Sequence, residues 1–461
     1  VSDQLSITFC GGAGTATGAN FLLSLEDTRD PLRGEKFLID CGLLQGPKVA
    51  DDKNRQPFPY DPKTITALFV THAHLDHIGR IPQLVKDGFR GTIFSTGPTK
   101  EIAELSLIDS LGVLEKEARG SKQPLLYHEE DVRRALTLWQ TVGYHEEIKI
   151  ADFTIIAKDS GHILGSAMFE FKYKDKKIVF TGDLGNSPAP LLEDTEPITD
   201  ADYLIMESVY GDRNHEDRGV RADRLEDIIE NTMKANGTLI IPAFSIERTQ
   251  EMLYEIEKMM EESRIPLAPL FLDSPLAIKV TEIYKKYAKT FLNEKVAPVV
   301  ASRDGIFNFP QLRLTLTTEE SKAITATTGR KIIIAGSGMS NGGRVIHHEK
   351  HFLGDPKNAL LLVGYQAAGS LGRQLQDGAR SVTILNTPVA VRAKVVSISG
   401  YSAHKDAQNL LEFARVASDK VKKIFVVLGE PKASLALTQK IRDYLATDAV
   451  MPAPGEKVVL D

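Results

Sequence analysis

Short apolar runs closed by a polar residue recur through the N-terminal part of the chain. Leu5–Phe9, Lys36–Asp40, Thr66–Val70, Phe153–Ala157 and Lys177–Thr181 each read as a buried strand. Four of these strands run into Asp40, His72, His162 and Asp183 at or just beyond their ends. Reactive side chains brought to one sheet edge from distant positions predict a single cleft. Ile78–Val85 reads as the opening of a helix that stops near Gly88, and residues 98–145 read as helical, with Leu105, Leu107, Ile108, Leu111 and Leu114 on a helix-like period. From about residue 220 the pattern changes to regular strand–helix alternation. Gly237–Pro242 leads to a helix carrying Met252, Leu253, Ile256 and Met259, and Leu270–Leu272 and Lys331–Ala335 are further strands followed by helices. That alternation predicts a doubly wound, largely parallel α/β sheet. Strand, turn and helix return around Val395–Ala414, before the strand Lys423–Val427. The simplest architecture is one α/β domain interrupted by a second and completed by the chain's end.

A length of 461 residues suits two or three domains rather than one core. No apolar run is long enough to span a bilayer, so no membrane partner is expected. Cys10 and Cys41 are the only cysteines, too few for a disulfide framework, which fits a cytoplasmic location. The net charge of −6 argues against a generic polyanion-binding surface. It says little about a cleft where metal ions and a few arginines supply local positive potential.

The chemistry concentrates in Thr71–His77. His72, His74, Asp76 and His77 supply imidazole and carboxylate ligands where a strand hands over to a helix. Such donors suit zinc, and less commonly iron or manganese. A dinuclear hydrolase needs further ligands, including a carboxylate able to bridge two ions. His162 and Asp183, each on a glycine-flanked turn after a strand, are the candidates.

The set Asp40, His72-x-His74-x-Asp76-His77, His162 and Asp183 resembles the metallo-β-lactamase superfamily. Met206–Gly211, Ile241–Gln250, Leu272–Pro275, Ala335–Gly343 and Ser402–Asp406 are similar to motifs of its β-CASP nucleic-acid-processing group, and the ribonuclease branch related to the cleavage and polyadenylation factor nuclease is the best match. The resemblance implies an α/β fold in which an αββα sandwich, residues 1–208 and 396–461, carries a doubly wound β-CASP insertion over 209–395. The active site would lie in a groove between the two domains. His72, His74 and His162 would hold one zinc ion, Asp76 and His77 a second, and Asp183 would bridge them. Zinc ions placed so make water available as a nucleophile near neutral pH and offset charge on phosphate oxygens. His404 would protonate the leaving oxygen, Glu207 would orient it, and Asp40 would orient a histidine ligand without binding metal itself. Asp76, Glu207 and His404 are therefore the expected catalytic residues. Single-stranded RNA is the implied substrate. A homodimer is compatible with the resemblance, while endo- or exonucleolytic action is left open.

One departure matters. The family's third C-terminal motif is a histidine before Gly-Glu that completes the second metal's ligands, and this chain has Leu428 before Gly429 and Glu430. All eleven histidines lie elsewhere, so the second zinc is expected to bind more weakly, giving one or two ions per chain. The DNA-processing branch carries an aliphatic residue at that position, so single-stranded DNA stands as a rival substrate, and an RNA-binding subunit with weakened catalysis as another. For substrate contacts, Arg248 can pair with a phosphate. Ser245, Ser274 and Ser337 can hydrogen-bond phosphate or 2′-hydroxyl, with Gly338 and Met339 beside them on a glycine-rich loop that leads into a helix. His347 and His351 stand one helical turn apart, but a separate metal there is not expected.

Overall fold

In the computed structural model, residues 3–27, 30–46, 52–121, 124–216, 218–302, 305–366 and 369–461 are described. They form two compact units. The first comprises Val1–Ala189, Glu193–Asn214 and His404–Asp461, and the second Pro190–Leu192 and His215–Ala403.

Two seven-stranded sheets build the first unit. One runs in the order Lys457–Val459, Gln4–Gly11, Asn20–Asp27, Asp30–Ile39, Ala67–Phe69, Thr92–Ser95 and Trp139–Thr141. The other runs Ala449–Val450, Lys423–Val426, Tyr203–Met206, Lys176–Phe180, Ala167–Tyr173, Phe153–Asp159 and Glu147–Ile150. Alternate residues of each strand point to opposite faces. Phe21, Leu23, Phe37, Ile39 and Phe69 of the first sheet thus meet Phe153, Phe169, Phe171 and Phe180 of the second in one core. Ring centroids of Phe37 and Phe153, and of Phe69 and Phe171, are 5.0 Å apart in edge-to-face geometry, which adds about 0.5–1.5 kcal/mol per pair beyond area burial. Leu22, Leu38, Leu68 and Ile93 point the other way and are also buried. On the second sheet, Met168, Val179 and Leu204 pack under Leu410 and Phe413 of the helix Ala407–Ala417 and Leu437 and Ile441 of the helix Pro431–Leu445. Both sheets are therefore covered on both faces, as strands apolar on both sides require.

The helix expected over residues 98–145 is two helices, Gly97–Ser121 and Glu129–Thr137, followed by the strand Trp139–Thr141. Between them Pro124 disrupts helical hydrogen bonding, and the Asp131 carboxylate accepts the His128 N–H at 3.0 Å to start the second helix. The helix expected from Ile78 is likewise divided. Leu75–Ile78 forms one turn that already carries Asp76 and His77, and Ile81–Lys86 begins anew with Pro82 in its first turn, where a missing N–H costs nothing.

The second unit centres on a six-stranded sheet in the order Leu312–Leu314, Leu270–Asp273, Lys331–Ala335, Thr238–Pro242, Ala359–Leu362 and Lys394–Ser397, with every neighbouring pair parallel. Thr238–Pro242 and Lys331–Ala335 are buried along their whole length, the mark of central parallel strands. Three adjacent strands end together, so Ser245, Ser274 and Ser337 follow from neighbouring carboxyl ends. Asp273, fully buried, ties that end to its surroundings by accepting from Thr315 Oγ1 (2.7 Å), Ser321 Oγ (2.6 Å), Arg344 Nη1 (2.7 Å) and His348 Nε2 (2.7 Å). These four donors outweigh the penalty of burial and hold its carboxyl down at about 2. No described helix is long and apolar enough to cross a membrane.

Candidate metal centre

In each sheet of the first unit, parallel strands point their carboxyl ends the same way. Ile39 stands opposite Phe69, Phe180 opposite Ile205, and Met206 opposite Val426. The residues that follow, Asp40, His72, Asp183, Glu207 and Leu428, leave the two sheets at these ends. Backbone bonds fix the metal-motif turn from below, with Cys41 N donating to His77 O at 2.8 Å, Leu43 N to Leu75 O at 3.0 Å and Ala19 N to Asp76 O at 2.9 Å. The turns bearing His162 and Asp183 are pressed together at Gly185. Its N–H donates to Ser160 O at 2.8 Å, and a Cβ there would lie 1.8 Å from Gly161 O, so only glycine fits.

Asp183 is the hub. One oxygen, Oδ2, lies 3.4 Å from His72 Nε2 and 3.5 Å from His162 Nε2, and the other, Oδ1, lies 3.4 Å from His77 Nε2. His74 Nδ1 stands 3.1 Å from His72 Nε2 and 3.3 Å from His162 Nε2. His72, His74, His162 and Asp183 thus offer four ligand atoms within 4.8 Å of one another. Burial, the dominant effect, keeps His72 and His162 well below the usual imidazole pKa, in the neutral form that ligates a metal.

Asp40 holds His77 from behind. Its Oδ2 is 2.7 Å from His77 Nδ1, and it also accepts from Thr71 N and Thr71 Oγ1, both at 2.8 Å. That contact turns His77 Nε2 toward Asp183. This buried nitrogen has no hydrogen-bond partner, which a metal ion would satisfy. Burial opposes a charge on His77, yet Asp183 and Asp40 outweigh it and raise its pKa well above normal. Asp76 is pushed up to about 6, by burial first, with His77 opposing. The neutral His72 and His162, with His77 among a concentrated set of carboxylates, are the donor set of a divalent cation.

A second group of three, Asp183, Glu207 and His404, also converges within 4.8 Å. His404 Nδ1 is 3.2 Å from each Glu207 oxygen and 3.9 Å from Asp183 Oδ2. Glu207 is fully buried and accepts the Leu184 N–H at 2.5 Å and the Val209 N–H at 3.3 Å. Burial disfavours a proton on His404, but Glu207 outweighs it and moves the pKa up to about 9. Two residues not singled out from the sequence support this geometry. Thr71 Oγ1 is 3.1 Å from His72 Nδ1, and Lys405 Nζ donates to Gly185 O at 2.8 Å, linking the turns that carry His404 and Asp183. Thr71 stands directly before the metal motif at a strand end, a position that could have marked it; nothing in the sequence marks Lys405.

Leu428 is buried at the end of Lys423–Val426, with φ +49°. Its N–H donates to Gly12 O at 2.7 Å, and its side chain joins the core between the sheets. Histidine tolerates positive φ better than leucine does. Leu428→His is expected to tighten binding of a second metal ion by at least roughly tenfold, the scale on which changes around a metal act. Equilibrium dialysis with zinc reads this directly, and an unchanged stoichiometry and affinity would remove Leu428 from the account of the second site.

Of the residues expected to touch substrate, Ser245 and Ser274 meet in the second unit. Ser245 Oγ is 3.2 Å from Ser274 Oγ, and the two hydroxyls lie 3.7 and 3.5 Å from where a Cβ of Gly336 would stand, next to Ser337. Gly338 is buried on the same loop, and Met339 accepts the Gly372 N–H at 3.1 Å. Arg248 is buried and its guanidinium is paired with Glu251, so a phosphate contact would require it to leave that partner. His348 is engaged by Asp273, and among the described residues the helix Val345–Phe352 belongs to no metal-ligating group.

Histidines and carboxylates gathered where two packed sheets end define a metallo-hydrolase centre. The comparisons agree. Residues 32–202 match a metallo-beta-lactamase superfamily domain, 249–375 a Beta-Casp domain, and 388–452 a Zn-dependent metallo-hydrolase RNA specificity domain. A ribonuclease of Thermus thermophilus is 35% identical over 404 residues, covering 88% of this chain and 90% of its own. An RNase J-like protein of Methanocaldococcus jannaschii is 33% identical over 91% of this chain and 93% of its own. The transcription termination factor FttA of Methanosarcina mazei is 30% identical over 94% of this chain and 68% of its own. The chain belongs to the β-CASP family of the metallo-β-lactamase superfamily.

Proposed function

We propose that this protein is a zinc-dependent ribonuclease that hydrolyses phosphodiester bonds of single-stranded RNA. The observation that carries the proposal is Asp183, whose two oxygens face different histidines while His404 and Glu207 stand alongside. The ribonuclease and RNase J-like names of two relatives, and the RNA specificity domain, support RNA as the substrate.

In this reading His72, His74, His162 and Asp183 would hold one ion, and Asp76, His77 and Asp183 the other. Bound there, zinc supplies Lewis acidity toward a phosphate oxygen and lowers the pKa of water. The protein's own groups do the rest. Asp40 and Thr71 fix the orientation of His77 and His72, so the site does not have to rearrange during reaction. Glu207 engages His404 Nδ1, leaving proton delivery to the departing oxygen to Nε2. Ser245, Ser274 and Ser337, with the Gly338–Met339 backbone, bind the sugar–phosphate chain.

Leu428 favours one second reading, single-stranded DNA as substrate. End-labelled RNA and DNA of one sequence, incubated with the protein and with Asp76→Ala, separate the two. RNA cleavage absent from the variant is expected. Cleavage of DNA alone would replace the proposal with the second reading, and no cleavage of either would mark a binding subunit.

A further inference from the structure

Phe244 is out of place for a large apolar residue. It follows the wholly buried strand Thr238–Pro242, yet it is 40% exposed. One edge of its ring, Cδ2 and Cε2, lies against backbone. A Cβ on Gly338 would fall 2.8 Å from Phe244 Cδ2, and one on Gly364 would fall 3.4 Å from Cε2, so the ring rests where two glycines leave room. Gln366 joins those two supports, its Nε2 donating to Gly338 O at 2.9 Å and to Gly364 O at 3.1 Å. The Phe244 carbonyl is held in turn by Thr249, whose N–H and Oγ1 donate to it at 3.3 and 2.8 Å. Tyr365, between Gly364 and Gln366, is 43% exposed.

The ring is thus held along one edge while part of its apolar area stays open to water. Next to it in sequence, Ser245 belongs to the serine hydroxyl group. A partly exposed aromatic ring held along one edge, with a hydroxyl-bearing residue next in the chain, matches a nucleotide, whose base stacks while its sugar and phosphate accept hydrogen bonds.

The geometry points to Phe244 as a stacking platform for one base of a single-stranded nucleic acid, with Ser245 and its neighbours holding the adjoining sugar–phosphate. This deepens the ribonuclease reading and rests on it. Stacking is tolerant of sequence because every base has a π-face, so the platform confers affinity for unpaired strands rather than sequence choice.

The test is an anisotropy titration of the full chain with a short fluorescein-labelled oligoadenylate and with an abasic oligomer of equal length. Cleavage of end-labelled RNA is scored in parallel. Phe244→Leu, which still covers the two glycines, is expected to weaken oligoadenylate binding by roughly tenfold and leave abasic binding unchanged. Phe244→Trp, with a larger π-face, is expected to retain the wild-type affinity or exceed it. Equal oligoadenylate affinity in wild type and Phe244→Leu overturns the platform, and if the wild type still cleaves RNA the ribonuclease reading stands. Equal loss of abasic and oligoadenylate binding shows damage to the fold of the loop and also overturns it. A wild type that neither binds nor cleaves RNA overturns both.

Discussion

Asp183→Ala is expected to release bound metal and stop cleavage in one step. The carboxylate is the only group among the described residues that faces both His72 and His162 with one oxygen and His77 with the other, at 3.4, 3.5 and 3.4 Å. Burial alone would raise its pKa, but His77 and His72 outweigh it and hold the group well below the ordinary carboxylate range, so it is charged at any working pH. On the proposed two-ion assignment, removing it takes away a ligand from both ions and leaves facing imidazoles with no carboxylate between them. A metal centre supplies several kcal/mol of charge stabilisation at the transition state, and each 1.36 kcal/mol is a factor of ten. A fall in kcat/KM of at least roughly a thousandfold follows, together with a metal content by atomic emission well below that of the wild type. Asp183→Asn keeps the shape without the charge and is expected to fall between the two. Retention of full metal content by the alanine variant would show that Asp183 does not bridge, and the two-ion assignment would fail with it.

How legible each feature is in the sequence depends on how local it is. His72, His74, Asp76 and His77 lie within one strand-to-helix turn, so their nearness is a matter of covalent geometry. The strands that lead to Asp40 and Asp183 are legible for a similar reason, since each closes on a short apolar run, Phe37–Ile39 and Ile178–Phe180, shortly before the carboxylate. The pairing of Glu207 with His404 joins groups 197 residues apart, and no spacing rule predicts it. Only resemblance reaches it. Expected helix boundaries fail where local breakers win, at Pro82 and Pro124. Arg248 shows the opposite limit. An arginine near a strand end reads as a phosphate ligand or, more often, as a surface side chain, whereas the structure buries it against Glu251. Phe244 carries no signal of its own, because hydrophobicity near a buried strand reads as core, whereas the two glycines its ring edge rests on lie far along the chain.

His404→Ala separates metal binding from proton transfer. Replacing a general acid typically slows a reaction by about 10²- to 10⁴-fold, and a loss in that range is expected for RNA cleavage. Metal content, by contrast, is expected to stay near that of the wild type, because His72, His74, His77, His162 and Asp183 are untouched. A leaving group that needs no proton gives the sharper test. On a p-nitrophenyl phosphodiester, whose phenolate departs unaided, the same variant is expected to lose far less than it does on RNA. A structural role for His404 would depress both substrates alike. The geometry also offers a rival, since Asp183, Glu207 and His404 form a ligand-like group of their own. If His404→Ala lost an equivalent of metal, His404 would be a ligand rather than the acid. The second ion would then belong on the Glu207 side of Asp183 rather than with Asp76 and His77, where Leu428 has already removed a donor.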